Sequence, residues 1–182
     1  MLMIEKAKSF ATKAHAGQKR KKSDADYIVH PIRVAERLER AGYGEAVICA
    51  GYLHDVVEDT SYNIEDIRRE FGEDVARIVQ AHTEDKTKSW KERKQHTIDV
   101  VRNGSKEVKA LIVADKLDNL ESLQADLAEE GKAVWNGFNA GYEKQKWYNE
   151  SVVESMKHGL TEKEVPGFFY VYRDLVQKTF SH

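Results

Sequence analysis

The sequence has 182 residues, a formal net charge of −2 at pH 7, and 41% hydrophobic against 33% charged residues. This length fits one domain with a buried core, and the near-neutral charge gives no general attraction to nucleic acid or to anionic membranes. A single cysteine, Cys49, excludes a disulfide framework and a cysteine-based zinc site. We therefore expect one domain over residues 1–182 whose partner is a small molecule, with no role for nucleic acid or a membrane.

The sequence shows no pattern typical of a targeting segment or a membrane span. Charge appears already at Glu5 and Lys6, too early for the apolar stretch of a signal peptide. The longest apolar run, over residues 46–53, is far shorter than the roughly 20 residues that a spanning helix needs. We expect a cytoplasmic protein, and the sequence leaves its oligomeric state open.

Apolar residues recur at helical spacing along almost the whole chain, and strand-like alternation is hard to find. The spacing predicts a first helix over residues 3–15. Pro31 suits the first turn of a second helix that runs to about Arg40, because proline lacks the N–H that has no partner there. Residues 45–58 are apolar on nearly all sides, which indicates a central, buried helix.

The second half of the chain continues the helical pattern. Asn63 and Asp66 resemble an N-cap and its partner, opening a helix that Gly72 closes, and Glu73 begins the next one. Further helices are expected over residues 89–102, 106–127, 132–158 and 167–180. The predicted fold is an all-α, single-domain helical bundle.

Four ionisable side chains end the most apolar of these helices: His54, Asp55, Glu58 and Asp59. Burial of such groups is strongly unfavourable without compensation, and a divalent cation can provide it. His54 and Glu58 are four residues apart, as are Asp55 and Asp59, so each pair projects from neighbouring turns of one helical face. His54 with Asp55 would bind the metal, and the two carboxylates one turn away could orient or deprotonate a bound water and protonate a leaving group.

Two ligands hold a metal poorly, and the sequence offers two more. His30 stands before Pro31 at the mouth of a helix, and Asp115 ends the apolar run of residues 111–114. Taken alone, His30 is typical of a capping or surface residue, and Asp115 of a carboxylate that accepts a backbone or lysine hydrogen bond. Together with the His-Asp pair they make a mixed nitrogen and oxygen site suited to Mn²⁺, Fe²⁺, Zn²⁺ or Co²⁺.

These segments resemble the HD superfamily of metal-dependent phosphohydrolases, in which an H…HD…D pattern supplies the ligands. More narrowly, the chain is similar to the ppGpp hydrolase domain of the Rel/SpoT enzymes and of the single-domain small alarmone hydrolases. This resemblance covers roughly residues 5–125, with the helices of 132–180 expected to pack on that core. The matching segments are residues 15–18, 27–32, 50–60, 71–72 and 114–120.

The resemblance implies a ligand set, a catalytic pair and a reaction. The implied metal ligands are His30, His54, Asp55 and Asp115, with Mn²⁺ as the expected cofactor and Fe²⁺, Co²⁺ or Zn²⁺ as alternatives. Glu58 and Asp59 would be the catalytic acidic pair, handling the attacking water and the leaving group on the 3′ side. The implied reaction converts ppGpp, guanosine 3′,5′-bis(diphosphate), to GDP and pyrophosphate.

The basic run at residues 19–22 matches a family Arg-Lys pair that packs on the guanine and meets phosphate. Counting from Gln18 selects Arg20 and Lys21, whereas counting back from Tyr27 selects Lys21 and Lys22, because this loop carries one extra residue. We assign Arg20 and Lys21, since a planar guanidinium stacks on a base and an ammonium does not. The alternative is an ordinary solvated loop.

Three further residues are expected to contact the nucleotide. Asn119 matches the family position that contacts its sugar and phosphate region. Tyr142 and Lys146 lie four residues apart in an aromatic stretch, in the region where related hydrolases place a substrate-contacting helix. An aromatic stripe at helical spacing is otherwise typical of a core.

Several departures from the family pattern leave other functions open. The loop at residues 24–26 lacks the usual Gly-Glu-Pro-like turn, and Glu121 and Ser122 follow Asn119 where the family often has basic residues or threonine. Carboxylates repel a highly anionic substrate. The alternatives are an HD-type hydrolase of another nucleotide, a catalytically silent nucleotide-binding module, and a helical domain whose polar cluster is a salt-bridge network.

Overall fold

The computed structural model describes residues 2–20, 25–137 and 141–181. Within these ranges the regular structure is helical, and one isolated antiparallel bridge joins Lys19 to Asp26. The α-helices are α1 (Leu2–Ala14), α2 (Val29–Arg40), α3 (Glu45–Leu53), α4 (Val56–Asp59), α5 (Ile64–Phe71), α6 (Glu73–His82), α7 (Trp90–Asn103), α8 (Lys106–Glu130), α9 (Tyr142–Ser155) and α10 (Gly167–Thr179). Short 3-10 helices occupy Gly131–Gly137 and Glu162–Glu164. The prediction of an all-α fold is confirmed.

None of the helices formed by the described residues is long and apolar enough to cross a membrane. The chain divides into two compact units, Met1–Lys86 and Thr87–His182. Helices α1 to α6 belong to the first unit, and α7 to α10 belong to the second. The expectation that residues 1–182 act as one domain stays a prediction.

Helix α3 is the centre of the first unit. It packs against α1, α2 and α6, and every residue from Val47 to Leu53 is buried. Gly51 lets α2 approach closely, because a Cβ atom placed there would lie 2.9 Å from the Cα of Ala35. The apolar stretch therefore forms a buried helix, as its composition predicts.

The predicted helix over residues 45–58 is wrong in its continuity. α3 ends at Leu53, and α4 begins only at Val56 after Asp55, whose φ and ψ are −102° and −1°. The Nδ1 atom of His54 lies 2.7 Å from the carbonyl oxygen of Gly51, which a continuous helix would offer to the N–H of Asp55. The histidine side chain thus takes the acceptor at the break.

The sequence signals for helix ends in this unit are confirmed. Asn63 and Asp66 form a reciprocal capping box at the start of α5. Gly72 lies between α5 and α6 with φ of 93°, a conformation that favours glycine. Pro31 lies in the first turn of α2. The capping box fixes where α5 begins, and Gly72 fixes where α5 ends and α6 begins.

In the second unit, the 25-residue α8 packs against α7, α10 and the 3-10 helix at Gly131–Gly137. The predicted helix over residues 132–158 is wrong at its start. Gly131 ends α8 with φ of 68°, a 3-10 helix follows, and α9 begins only at Tyr142. A glycine in a left-handed conformation is a common helix terminator, and it also explains why α8 extends past the predicted end.

Candidate metal centre

Two histidines and an aspartate converge in the first unit. The Nε2 atoms of His30 and His54 are 3.2 Å apart, and the Oδ2 atom of Asp55 lies 3.0 Å from His54 Nε2 and 3.7 Å from His30 Nε2. All three residues are buried. They come from the first turn of α2 and from the break between α3 and α4, so both the Pro31 helix start and the break position the cluster.

The tautomer of His54 follows from its second partner. Its Nδ1 atom faces the Gly51 carbonyl, which only accepts hydrogen bonds, so Nδ1 carries the proton. In the neutral ring, Nε2 then presents its lone pair toward His30 and Asp55. A histidine oriented by a backbone carbonyl in this way is the usual arrangement of a metal ligand. The two imidazole nitrogens and the carboxylate therefore fit a divalent transition-metal ion.

Two aromatic rings surround these ligands. The Tyr27 hydroxyl donates a hydrogen bond to Oδ2 of Asp55, and the Tyr27 ring lies 6.0 Å from the His30 ring. His82, the last residue of α6, places its ring perpendicular to that of His54 at 4.9 Å. Both residues restrict the orientation of the side chains that converge.

Glu58 lies on the single turn of α4 and has a backbone partner. Its Oε1 atom accepts a hydrogen bond from the N–H of Glu84 at 2.6 Å. Burial raises the pKa of the Glu58 carboxyl, and His82 and the Glu84 N–H oppose that rise. The group therefore has both an oriented oxygen and an environment that favours protonation more than water does.

Asp59 is the last residue of α4 and is paired with a lysine. Its Oδ1 atom lies 3.3 Å from Nζ of Lys86, which also donates to the carbonyl of Glu58 at 2.8 Å. Burial, followed by the negative charge of Asp55, raises the pKa of Asp59, whereas Lys86 lowers it. Glu58 and Asp59 thus come shortly after His54 and Asp55 in the sequence. Burial raises the pKa of both carboxyls.

The predicted base-stacking residue, Arg20, lies in the first unit. It is half-buried, its guanidinium carbon lies 5.9 Å from the centre of the Tyr27 ring, and its backbone N–H donates to Ala25. Lys21 and Lys22 lie outside the described residues. The role of each stays a prediction.

The other predicted residues belong to the second unit. Asp115 is buried on α8, where its carboxylate contacts Nζ of Lys116 at 2.9 Å and the Asn119 amide at 3.3 Å. Asn119 itself is exposed. Both hydrogen-bonding groups are neighbours on the same helix, so Asp115 has local partners in addition to any role as a ligand.

Tyr142 and Lys146 begin α9. The Tyr142 ring lies 5.1 Å from that of Trp135 and 5.6 Å from that of Phe180, in an aromatic cluster within the second unit. Lys146 is half-buried. Tyr142 therefore takes part in packing. The sequence left packing open as the alternative to substrate contact for this aromatic stretch.

Sequence reasoning missed several residues that contact the cluster or the acidic pair, either directly or through one other residue. These are His15, Gln18, Tyr27, His82 and Lys86, together with the backbone N–H of Glu84. His15, Gln18 and Tyr27 lie inside the segments that match the family, so their positions carried a signal although their contacts did not. The loop from Thr83 to Lys86 carried none. The backbone N–H of Glu84 leaves no trace in side-chain identity, and Lys86 stands in no recognisable motif.

Comparison with known proteins places this arrangement in a family. A family model described as the HD domain matches residues 7–142, about three quarters of the sequence. The chain belongs to the HD domain family. The match includes both histidines, both aspartates and the acidic pair of the predicted site.

Several relatives resemble the chain over most of its length. The MESH1 protein of Xenopus tropicalis, a guanosine-3′,5′-bis(diphosphate) 3′-pyrophosphohydrolase, is 40% identical over 125 residues, which are 67% of this chain and 70% of that protein. The crystal structure of lmo0812 from Listeria monocytogenes EGD-e is 54% identical with a TM-score of 0.82, covering 84% of this chain and 99% of that one. A metazoan ortholog of SpoT that hydrolyses ppGpp is 28% identical with a TM-score of 0.78, covering 98% and 96%.

The chain also matches parts of much longer relatives. The chain matches 15% and 18% of the length of two such proteins, a GTP pyrophosphokinase and a probable guanosine-3′,5′-bis(diphosphate) 3′-pyrophosphohydrolase. Only a small part of each of these relatives corresponds to this chain.

Proposed function

We propose that this chain is a metal-dependent phosphohydrolase that removes the 3′-diphosphate from ppGpp, giving GDP and pyrophosphate. The observation that carries the proposal is the convergence of His30, His54 and Asp55, followed directly by the short helix that bears Glu58 and Asp59. The choice of ppGpp is supported by the MESH1 relative, which is named for that reaction.

His30, His54 and Asp55 would hold the divalent cation, and we propose Asp115 as the fourth ligand by analogy with the family pattern. Mn²⁺ is our choice of metal, and Fe²⁺, Co²⁺ and Zn²⁺ accept the same mixture of nitrogen and oxygen ligands. When bound, such a cation lowers the pKa of a coordinated water and polarises a phosphoryl oxygen. We also propose that residues 1–182 work as one catalytic domain.

Glu58 and Asp59 are the proposed catalytic pair. They position the attacking water, accept a proton from it, and return a proton to the departing 3′ oxygen. A carboxyl whose pKa is raised by burial suits this exchange, because it takes up and releases a proton closer to neutral pH than an exposed carboxyl. The Glu84 N–H fixes one oxygen of Glu58, which limits the directions from which that side chain can receive the proton.

The proposed substrate contacts are Arg20, Lys21, Asn119, Tyr142 and Lys146. Arg20 would stack on the guanine, and with Lys21 it would neutralise negative charge on the diphosphate groups. Asn119 would bind the ribose and phosphate region, and Tyr142 and Lys146 are further proposed contacts to the nucleotide. The location is proposed to be cytoplasmic, where a soluble nucleotide is available.

The test is direct hydrolysis. Protein purified without metal and reloaded with Mn²⁺ is incubated with ppGpp, and the products are resolved by anion exchange. We expect GDP and pyrophosphate from the wild type, loss of turnover in His54→Ala and Asp55→Ala, and wild-type turnover in Glu129→Gln, which removes an exposed carboxylate on α8. Metal-loaded wild type that leaves ppGpp intact contradicts the proposed substrate, and a panel of other nucleotides then tests the broader hydrolase class.

A further inference from the structure

A buried histidine and a glutamine connect the end of α1 to the end of α4. His15 follows α1, is only 2% exposed, and places Nδ1 3.0 Å from Oε1 of Gln18. The Nε2 atom of Gln18 donates to the backbone carbonyl of Asp59 at 2.8 Å. We call this pair of hydrogen bonds the His15–Gln18 bridge.

The direction of each hydrogen bond in the bridge is fixed by its last acceptor. A backbone carbonyl only accepts, so the amide nitrogen of Gln18 must face Asp59. The amide oxygen of Gln18 then faces His15, and because that oxygen also only accepts, Nδ1 of His15 must carry a proton. The bridge therefore requires one amide orientation and a protonated Nδ1.

The bridge supports a helix that has little support of its own. α4 has four residues, and a single helical turn is unstable in isolation because nucleation fixes several dihedral angles for very few hydrogen bonds. The last carbonyls of a helix also lack partners within it. Here Gln18 binds the carbonyl of Asp59 and Lys86 binds that of Glu58, so side chains from outside α4 fix its C-terminal end.

The same pair supports the segment that orients Asp55. The backbone N–H of Tyr27 donates to the Gln18 carbonyl at 2.9 Å, and the Tyr27 ring packs on the His15 ring at 4.9 Å. The Tyr27 hydroxyl then donates to the Asp55 carboxylate. Between them, His15 and Gln18 therefore contact Tyr27, whose hydroxyl binds Asp55, and the backbone of Asp59, whose side chain is one of the two acidic groups.

The second ring nitrogen of His15, Nε2, indicates which interaction favours a histidine at this position. Nε2 is buried and has no hydrogen-bonding partner among the residues that the structure describes. An apolar side chain would avoid the unfavourable burial of that polar atom. The interaction that favours histidine at this position is therefore the one made through Nδ1, together with its packing on Tyr27.

We propose that His15 and Gln18 are positioning residues that hold α4, and with it Asp59, in place for hydrolysis. This inference rests on the proposed function, in which Asp59 is one of the catalytic carboxyls. Neither residue is expected to touch the reacting atoms. Their loss should therefore lower kcat much more than it changes KM, since substrate contacts remain while a catalytic group shifts.

The test uses variants that separate the Nδ1 donor from the ring. His15→Phe keeps an aromatic ring against Tyr27 and removes the donor, His15→Asn restores an N–H donor near the place of Nδ1, and Gln18→Glu removes the donor to Asp59. We expect kcat for ppGpp to fall about 10- to 100-fold in His15→Phe and Gln18→Glu, the loss typical of a group displaced by about 1 Å, with KM within about threefold of wild type. His15→Asn should recover most of kcat.

Two kinetic results would overturn the proposal: unchanged kcat in His15→Phe, or a loss in His15→Asn equal to that in His15→Phe at the same melting temperature. Lys13→Ala, an exposed change on α1, is the matched control.

The tautomer of His15 provides a test without substrate. Long-range ¹H–¹⁵N NMR of the wild type should show the proton on Nδ1, and a proton on Nε2 alone excludes the bridge. Failure of the wild type to hydrolyse ppGpp contradicts the proposed function, whereas the tautomer tests the bridge separately.

Discussion

One oxygen of Asp55 contacts both a tyrosine hydroxyl and a histidine nitrogen at the candidate metal centre. Oδ2 accepts a hydrogen bond from the Tyr27 hydroxyl and lies 3.0 Å from Nε2 of His54. A carboxylate that binds a metal is commonly held by such an outer hydrogen bond, which fixes its orientation and tunes its basicity. A substitution of Tyr27 therefore tests this outer hydrogen bond and leaves every proposed metal ligand unchanged.

Tyr27→Phe should weaken Mn²⁺ binding, because it removes the hydroxyl that orients Asp55 and keeps the ring that packs on His15. The expected loss is about 10- to 100-fold in affinity, the usual effect of changing an outer partner of a metal ligand. Isothermal titration of the metal-free protein with Mn²⁺ measures it. Tyr62→Phe, at an exposed ring that packs on Phe10, is the control and should bind as the wild type does. If Tyr27→Phe binds Mn²⁺ as tightly as the wild type does, the tyrosine hydroxyl has no role in metal binding.

At the scale of elements, the helix ends that local side chains determine could be predicted from the sequence. The Asn63–Asp66 capping box and Gly72 act within a few residues of the chain, so their identity was sufficient. The break after Leu53 was missed because it depends on the His54 side chain competing for a helical carbonyl. That competition has no signature in apolar periodicity, which reports only which faces are buried.

The close approach of α2 and α3 gives a prediction at this scale. Gly51→Ala would place a Cβ 2.9 Å from the Cα of Ala35 and 3.2 Å from its Cβ, so the helices must separate. Overpacking of this kind lowers the free energy of unfolding by about 1–3 kcal/mol. Urea unfolding measures it, with Gly167→Ala as control, since no atom lies within 4 Å of a Cβ built there. If Gly51→Ala is as stable as the wild type, α2 and α3 are packed less tightly than the 2.9 Å separation indicates.

At the scale of the whole molecule, the residues of the candidate site were easier to predict than the contacts among them. His54 and Asp55 are adjacent in sequence and end an apolar run, so their identity and position pointed to a metal. Gln18 lies 41 residues from its acceptor, Asp59, and only the tertiary fold brings them together. Lys86 reaches the same residue from a loop with no distinctive composition. Motifs therefore predicted the chemistry, and packing determined which groups support it.

Metal binding should also stabilise the whole fold, because the unfolded chain does not hold His30, His54 and Asp55 together. At a free Mn²⁺ concentration a hundredfold above Kd, the expected stabilisation is about 2.7 kcal/mol. For a chain of this size that raises Tm by about 5–10 °C over the protein in EDTA, measurable by scanning calorimetry. In His54→Ala the difference between Mn²⁺ and EDTA should vanish, because one of the converging nitrogens is gone. An equal rise of Tm in His54→Ala would mean that the ion binds elsewhere, and the candidate centre would lose its assigned role.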